Sequence, residues 1–135
     1  MGYLLDTNVI AAYLKNDRTV RGKIEQLTFR GERVLISVIS YYETKRGLLY
    51  AKATKKMSNF NTFCEAVEVA FLNDIKIIEK AAEIHAELRG KGTPLEDADI
   101  LIAATAMSHD LTLVSHDSDI LRVSGLTVED WMAKA

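Results

Sequence analysis

Tyr3-Leu4-Leu5-Asp6-Thr7-Asn8-Val9-Ile10 sets the architecture of this chain. Three apolar residues run straight into a triplet of helix-capping side chains, and an apolar pattern resumes through Val9, Ile10, Tyr13 and Leu14. Asp, Thr and Asn side chains accept hydrogen bonds from the first unsatisfied N–H groups of a helix. The stretch therefore reads as a short strand that ends at Asp6, with a helix starting there. A second helix is expected over residues 19–29, with Val20, Ile24 and Leu27 on one stripe and Gly31 closing it.

The same unit recurs downstream. Residues 33–38 are β-branched and too few for a helix, which predicts a buried strand. Ser40 is then expected to cap a helix running to about residue 53, with Glu43 completing a capping box. Further helices are expected over residues 59–72, 79–89 and 96–109, and strands over 75–78, 111–114 and 126–128. In the helix behind Pro94, the residues expected in the core are Ile100, Leu101, Ala103, Ala104 and Met107, and Trp131 is expected to anchor the tail. Short strands alternating with helices predict an α/β fold, a parallel sheet covered on both faces. In such sheets ligands bind beyond the carboxyl ends of the strands, where strand order switches. That rule points to Asp6 and to Ser115-His116-Asp117.

Composition narrows the class. The 135 residues suit one domain spanning 1–135, and 48% apolar with 27% charged residues suits a globular chain. The net charge of −2 hides a division: residues 1–64 carry 11 basic and 5 acidic side chains, residues 65–135 carry 6 and 14. One cysteine excludes an internal disulfide and favours a reducing cytoplasm. No apolar run approaches the roughly 18 residues of a membrane span. The N-terminal residues lack the basic region of a signal peptide. A cytoplasmic protein without membrane contact is expected.

Carboxylates stand at each place where a site above the sheet would need them: Asp6, Glu43, Asp99, and Asp117 with Asp119. If they meet, their mutual repulsion calls for a hard divalent cation with oxygen ligands, Mg²⁺ or Mn²⁺. Each acid also has a purely structural reading. Asp6 can be a helix cap, Glu43 half of a capping box, Asp99 a favourable charge at a helix start, and Asp117 and Asp119 turn acids. Spacing alone leaves the two readings balanced.

Four blocks in order, Leu4 to Asn8, Ser37 to Glu43, Asp97 to Ala104 and Leu113 to Asp119, resemble a PIN-domain ribonuclease over essentially the whole chain. The likeness is to VapC-type toxins of prokaryotic toxin–antitoxin pairs. Gly92-Thr93-Pro94-Leu95 is similar to that family's approach loop. The resemblance implies a three-layer α/β/α PIN-like fold with a central short-stranded parallel sheet. It also implies an Mg²⁺- or Mn²⁺-dependent endoribonuclease leaving 5′-phosphate and 3′-hydroxyl ends. Asp6 and Asp99 would be the primary metal ligands, with Glu43 and Asp117 or Asp119 holding metal-bound waters or a second ion. One of these carboxylates would accept the proton of the attacking water. Thr7, Asn8 and Ser115 would orient the carboxylates or water. Ser115 stands where the family more often has Thr, His116 where it has Asn, and Ile120 where it has Phe. A homodimer and a cognate antitoxin covering the active-site groove are implied as well.

Between Thr44 and Cys64 lie Lys45, Arg46, Lys52, Lys55 and Lys56 with no acid, interleaved with the tyrosine Tyr50 and preceded by Tyr41 and Tyr42. Such a segment suits phosphate contacts and base stacking on RNA, or else is a solvated helix face. Arg18, Arg21 and Lys23 would extend the same surface. Tyr13 and Phe29 are expected in the core, with docking as the other use, and Cys64 as core filler. His85, His109 and His116 lack zinc-site spacing. Two rival functions remain. One is a catalytically silent RNA- or protein-binding module. The other is a phosphohydrolase with Asp6 as nucleophile, disfavoured because Asn8 stands where a second acid is wanted.

Overall fold

The computed structural model describes residues 2–132. The chain runs β1 (Gly2–Leu5), α1 (Thr7–Leu14), α2 (Arg18–Phe29), β2 (Arg33–Ser37), α3 (Val38–Tyr50) and α4 (Thr54–Ala66). It continues through β3 (Glu68–Ala70), α5 (Ile75–Gly90), α6 (Asp97–Ser108), β4 (Thr112–Val114), a 3₁₀ turn (Ser118–Arg122) and β5 (Val128–Glu129). Among the described residues the strands form one parallel sheet in the order β3-β2-β1-β4-β5. Leu5 at the end of β1 is level with Ile36 on one side and Val114 on the other. The chain builds leftward from β1 through β2 and β3, then crosses to β4 on the right. The switch in order therefore lies between β1 and β4, just above Asp6 and Ser115.

Alternation along each strand divides the interior in two. Leu4, Leu35 and Leu113 face one core with Ile77, Ile84 and Leu88 of α5 and Ile100 and Ala103 of α6. Leu5, Ile36 and Val114 face the other, with Val9 and Ile10 of α1, Ile24 of α2 and Phe60 and Phe63 of α4. A sheet buried on both sides by helices is the three-layer α/β/α arrangement. Gly31, at φ +76°, ends α2: its N–H bonds Thr28 O and that of Glu32 bonds Leu27 O, a pairing that needs a left-handed residue. Trp131 is buried and its ring tilts against Tyr3 at 5.9 Å.

Several expectations are corrected. Ser37, not Ser40, caps α3, accepting from Ser40 N at 3.0 Å. The strand ends one residue earlier than its apolar run suggests, so Ser40 is a buried first-turn residue and Glu43 makes no capping box. That helix ends at Tyr50, because Lys52 takes a left-handed conformation (φ 54°) that turns the chain into α4. α4 is shifted to Thr54–Ala66, and the third strand is Glu68–Ala70 rather than residues 75–78.

Residues 75–78 are instead the first turn of α5. Asp74 caps it by accepting from Lys76 N at 2.9 Å, and Ile77, Ala81, Ile84 and Leu88 make one helical stripe. The β-branched composition there is outweighed by the 3.6-residue period of the burial. In α6, Leu101 and Met107 are only half-buried while Ile102, Thr105 and Ala106 are buried. Phe29 is 92% exposed rather than in the core. Tyr13 is half-buried against Phe63, with ring centroids 4.7 Å apart. Cys64 packs at the edge of the second core, and burial pushes its thiol pKa up. No helix of the described residues is long and apolar enough to cross a membrane.

Candidate active site

Three local structures bring the acids to one edge of the sheet. Asp6 follows β1, its N–H extending the sheet ladder to Val114 O at 2.9 Å, while its carboxylate accepts from Thr7 N at 2.8 Å. The bland reading of Asp6 as a cap is thus correct as far as it goes. The other carboxylate oxygen, Oδ2, accepts from the buried Ser115 hydroxyl at 2.8 Å. Glu43 sits on α3, where its Oε1 accepts from Thr7 Oγ1 at 2.7 Å. Thr7 Oγ1 is also 3.0 Å from Ser40 Oγ, so two helices are tied together directly beside Asp6. Asp99 lies in the first turn of α6 and is half-buried.

Electrostatics show that these groups sense one another. Burial, then the negative charges of Asp6, Asp117, Glu43 and Glu96, push the Asp99 carboxyl up to about 6. Burial also raises Asp6, which is 6% exposed. The Ser115 and Thr7 hydrogen bonds oppose that rise, and the Glu43 and Asp117 charges reinforce it. Acids held near one another at a cost to their ionisation are a mark of functional sites.

Asp117 and Asp119 part company here. Asp117 caps the 3₁₀ turn, accepting from Asp119 N at 2.9 Å, and its own N–H bonds Ser115 Oγ at 3.1 Å. Its charge acts on both Asp6 and Asp99. Asp119 pairs instead with Arg122 at 3.1 Å and its side chain is 54% exposed. Arg122 also donates to Pro94 O at 3.0 Å, fastening the loop before α6 to the turn that carries Asp117. Asn8 stitches the same edge: its Oδ1 accepts from His116 N at 3.2 Å and its Nδ2 lies 3.5 Å from Ser115 Oγ.

Among the described residues, no three of the Asp, Glu, His or Cys side chains stand close enough to hold an ion between them. The donors are nevertheless all carboxylate oxygens, as a hard cation requires. Mg²⁺ keeps several waters and needs only one or two direct carboxylates, so a looser acidic ring fits it.

The profile of the PIN domain matches residues 3–126. The chain belongs to the PIN-domain family. Its PIN fold is similar in sequence to Ribonuclease VapC1 of Haemophilus influenzae (strain R2866), at 27% identity over 134 residues, 97% of this chain and 98% of that one. It is also similar to the tRNA(fMet)-specific endonuclease VapC of Salmonella typhimurium, at 29% identity over 138 residues, covering 96% and 97%. In three dimensions it is similar to a chain in the crystal structure of VapBC2 from Rickettsia felis bound to a DNA fragment from their promoter. That superposition has a TM-score of 0.90 and 26% identity, and covers 97% of this chain and 99% of the other.

The basic segment of this PIN domain is not uniform. Lys45 Nζ donates to Asn61 Oδ1 at 2.8 Å and lies 5.5 Å from the centre of the Tyr41 ring. Arg46 is 3.8 Å from Glu43 and 5.1 Å from the Tyr42 ring centre. Lys52, Lys55 and Lys56 are exposed at the α3–α4 turn and on α4. Arg21 is drawn away from that surface, donating to Tyr13 O at 3.1 Å and stacking over its ring at 4.1 Å. Sequence reasoning missed Lys15, which lines a cleft beside Glu43 with Lys56, and the contribution of Ser40 beside Thr7. Lys15 follows α1 by helical spacing from Ala11, a signal visible only once α1 is known to face the acids.

Proposed function

We propose that this protein is a Mg²⁺- or Mn²⁺-dependent endoribonuclease toxin of the VapC type, neutralised by a cognate antitoxin, with residues 1–135 as a single PIN domain. The observation that carries the reading is the gathering of Asp6, Glu43, Asp99 and Asp117 at the β1–β4 switch, where burial and then the neighbouring negative charges raise Asp99 to about 6. The ribonuclease names of the VapC relatives and the VapBC complexes support it. A pure binding module has no use for mutually repelling carboxylates beside a phosphate path.

Asp6 and Asp99 are the direct ligands in this reading, and Glu43 and Asp117 complete the oxygen shell. When bound, such an ion lowers the pKa of water and offsets the charge that builds on the phosphate. Ser115 and Thr7 hold the Asp6 and Glu43 carboxylates in orientation, and Asn8 holds the loop that carries Asp117. A carboxylate of this set accepts the proton of the attacking water. Lys52, Lys55 and Lys56, with Lys45 and Arg46 nearer the acids, lie along the RNA path. The substrate class is RNA with an exposed loop or unstacked strand, since an A-form duplex hides its base edges. We extend the proposal to a homodimer acting in the cytoplasm, as the family likeness implies.

The test is cleavage of total cellular RNA by the purified chain with Mg²⁺ or Mn²⁺ and with EDTA. Discrete fragments with 5′-phosphate ends, lost in EDTA, are expected; metal-independent cutting or none overturns the reading. Two finer outcomes follow from the hydrogen bonds. Ser115→Ala removes the donor to Asp6 Oδ2 and should weaken metal-dependent cleavage about 10- to 100-fold, with Ser115→Thr restoring it. This is read from initial rates across a Mn²⁺ titration, and an unchanged titration midpoint counts against the assigned role. Asp117→Asn should lower the cleavage rate at least about tenfold further than Asp119→Asn, because Asp119 is already paired with Arg122. The reverse ranking reassigns the fourth acid.

A further inference from the structure

Two of the acids arrive on segments that a single side chain joins. Asp99 rides on the first turn of α6, and residues 93–96, which lead into it, have no regular structure. Glu96, the cap residue of that helix, makes no side-chain cap bond. Asp117 precedes the 3₁₀ turn and caps it. Apolar packing anchors the two segments separately: Ile120 in the turn is buried, and Leu95 packs half-buried against the same core. Arg122 spans the gap. Its Nη1 donates to Pro94 O, 28 positions away, at 3.0 Å, and its Nη2 to Asp119 Oδ1 at 3.1 Å. Asp119 N in turn donates to Asp117 Oδ1 at 2.9 Å, so the guanidinium reaches Asp117 through one intervening residue.

A guanidinium is planar and always charged, with its donors in a fixed fork, so two acceptors on it are held at a set separation. An ion pair with side chains 38% and 54% exposed adds little to stability on its own. We infer that Arg122 is a positioning residue: its fork fixes the loop leading to Asp99 against the turn behind Asp117, and so sets how tightly the acidic site holds a divalent cation. The inference rests on the metal-dependent reading above and adds to it a residue that touches neither the ion nor the RNA. Spacing matters because a small hard cation demands near-ideal octahedral geometry. Charge alone predicts the opposite sign. A fixed cation near the four carboxylates repels a second one, so deleting it would tighten metal binding if Coulomb forces decided. Deleting a spacer loosens it.

The experiment measures Mn²⁺ binding to the whole chain without RNA, by electron paramagnetic resonance of the free ion. Wild type is compared with Arg122→Ala, Arg122→Lys and Lys91→Ala. Lys91 is the control, since it pairs with Glu87 at 2.8 Å at the end of α5 and joins none of the four acids. Arg122→Ala should raise the Mn²⁺ dissociation constant roughly tenfold. Arg122→Lys keeps the charge but not the fork, and should shift with it. Lys91→Ala should bind at least as tightly as wild type. Melting in EDTA, as the fold control, should stay within about 3 °C of wild type for each variant. Unchanged or tighter binding in Arg122→Ala overturns the inference. So does wild-type binding in Arg122→Lys, which would make Arg122 a charge or a phosphate contact rather than a spacer, and so does an equal loss in Lys91→Ala. If Arg122→Ala fails to fold, Arg122→Lys decides alone. A wild type that binds no Mn²⁺ removes the metal reading and this inference with it, whereas equal binding by wild type and both Arg122 variants refutes the role of Arg122 alone.

Discussion

Asp6→Asn should reduce RNA cleavage by about a thousandfold or more while leaving the protein folded. Asp6 is 6% exposed, and Ser115 and Thr7 each hold one of its carboxylate oxygens at the β1–β4 switch. Asparagine keeps the shape and one oxygen acceptor, so the cap on α1 survives. What it removes is a full negative charge at the centre of the proposed metal site, where stabilisation of several kcal/mol of transition-state charge is at stake. Burial already raises the Asp6 carboxyl, so neutralising it relieves a charge that the fold holds at a cost. The measurement is single-turnover cleavage of one defined RNA, with circular dichroism and a melting curve as the fold control. Cleavage within a factor of about ten of wild type would remove Asp6 from the machinery.

Asp99→Asn should show the same loss of activity together with a gain in stability that depends on pH and metal. The Asp99 carboxyl lies at about 6 in the folded protein, above its ordinary value of 3.8. A raised acid means that the folded state binds a proton the unfolded chain has released. Stability therefore falls as pH rises between about 4 and 6, and the penalty is fully present above that window. In EDTA at pH 7.5 the variant, which lacks the charge, should be more stable by about 1 kcal/mol, after discounting for the half-exposed position of the side chain. That corresponds to about 3 °C in melting temperature for a chain of this size. The advantage should shrink toward pH 4. A divalent ion at ten times its dissociation constant should reverse the ranking, adding about 1.4 kcal/mol to wild type and less to the variant. A variant that melts lower than wild type in EDTA at pH 7.5, or that gains equally from Mn²⁺, contradicts this account of the site.

The two predictions share a physical cause. Asp6, Glu43, Asp99 and Asp117 are kept together by elements folded for other reasons: a strand end, the second turn of α3, the start of α6 and a capped turn. Their repulsion is held in place by the two apolar cores on either side of the sheet. Such a cluster trades stability for a concentration of negative charge, which in the proposed reading a cation offsets. The electropositive partner of the arrangement is not in the acidic ring itself but along α3 and α4, where Lys52, Lys55 and Lys56 are exposed. The division of charge along the chain does not map onto the site: Asp6 and Glu43 come from the basic residues 1–64, and Asp99 and Asp117 from the acidic remainder.

Much of this was legible in the sequence for a local reason. Strand ends and helix caps are decided by a few neighbouring residues, so Asp6-Thr7-Asn8 announces both the end of β1 and the start of α1 without help from the rest of the chain. Alternation of short apolar runs with helical stripes gives the parallel sheet and the edge where a ligand would lie. The readings that failed depended on distant partners. Residues 75–78 look like a strand by composition, yet Asp74 and the stripe from Ile77 to Leu88 make them a helix that packs on α6. Glu68–Ala70 is a strand because it finds β2 alongside, at Leu35, Ile36 and Ser37. Only the folded chain separates Asp117 from Asp119, since Arg122 pairs with one while the other caps the 3₁₀ turn and its charge acts on Asp6. Only it places Thr7 against Glu43 across 36 positions of sequence, and opens the cleft beside Glu43. Backbone preference is local and can be read residue by residue. The field that one carboxylate exerts on another depends on distance, and packing sets that distance.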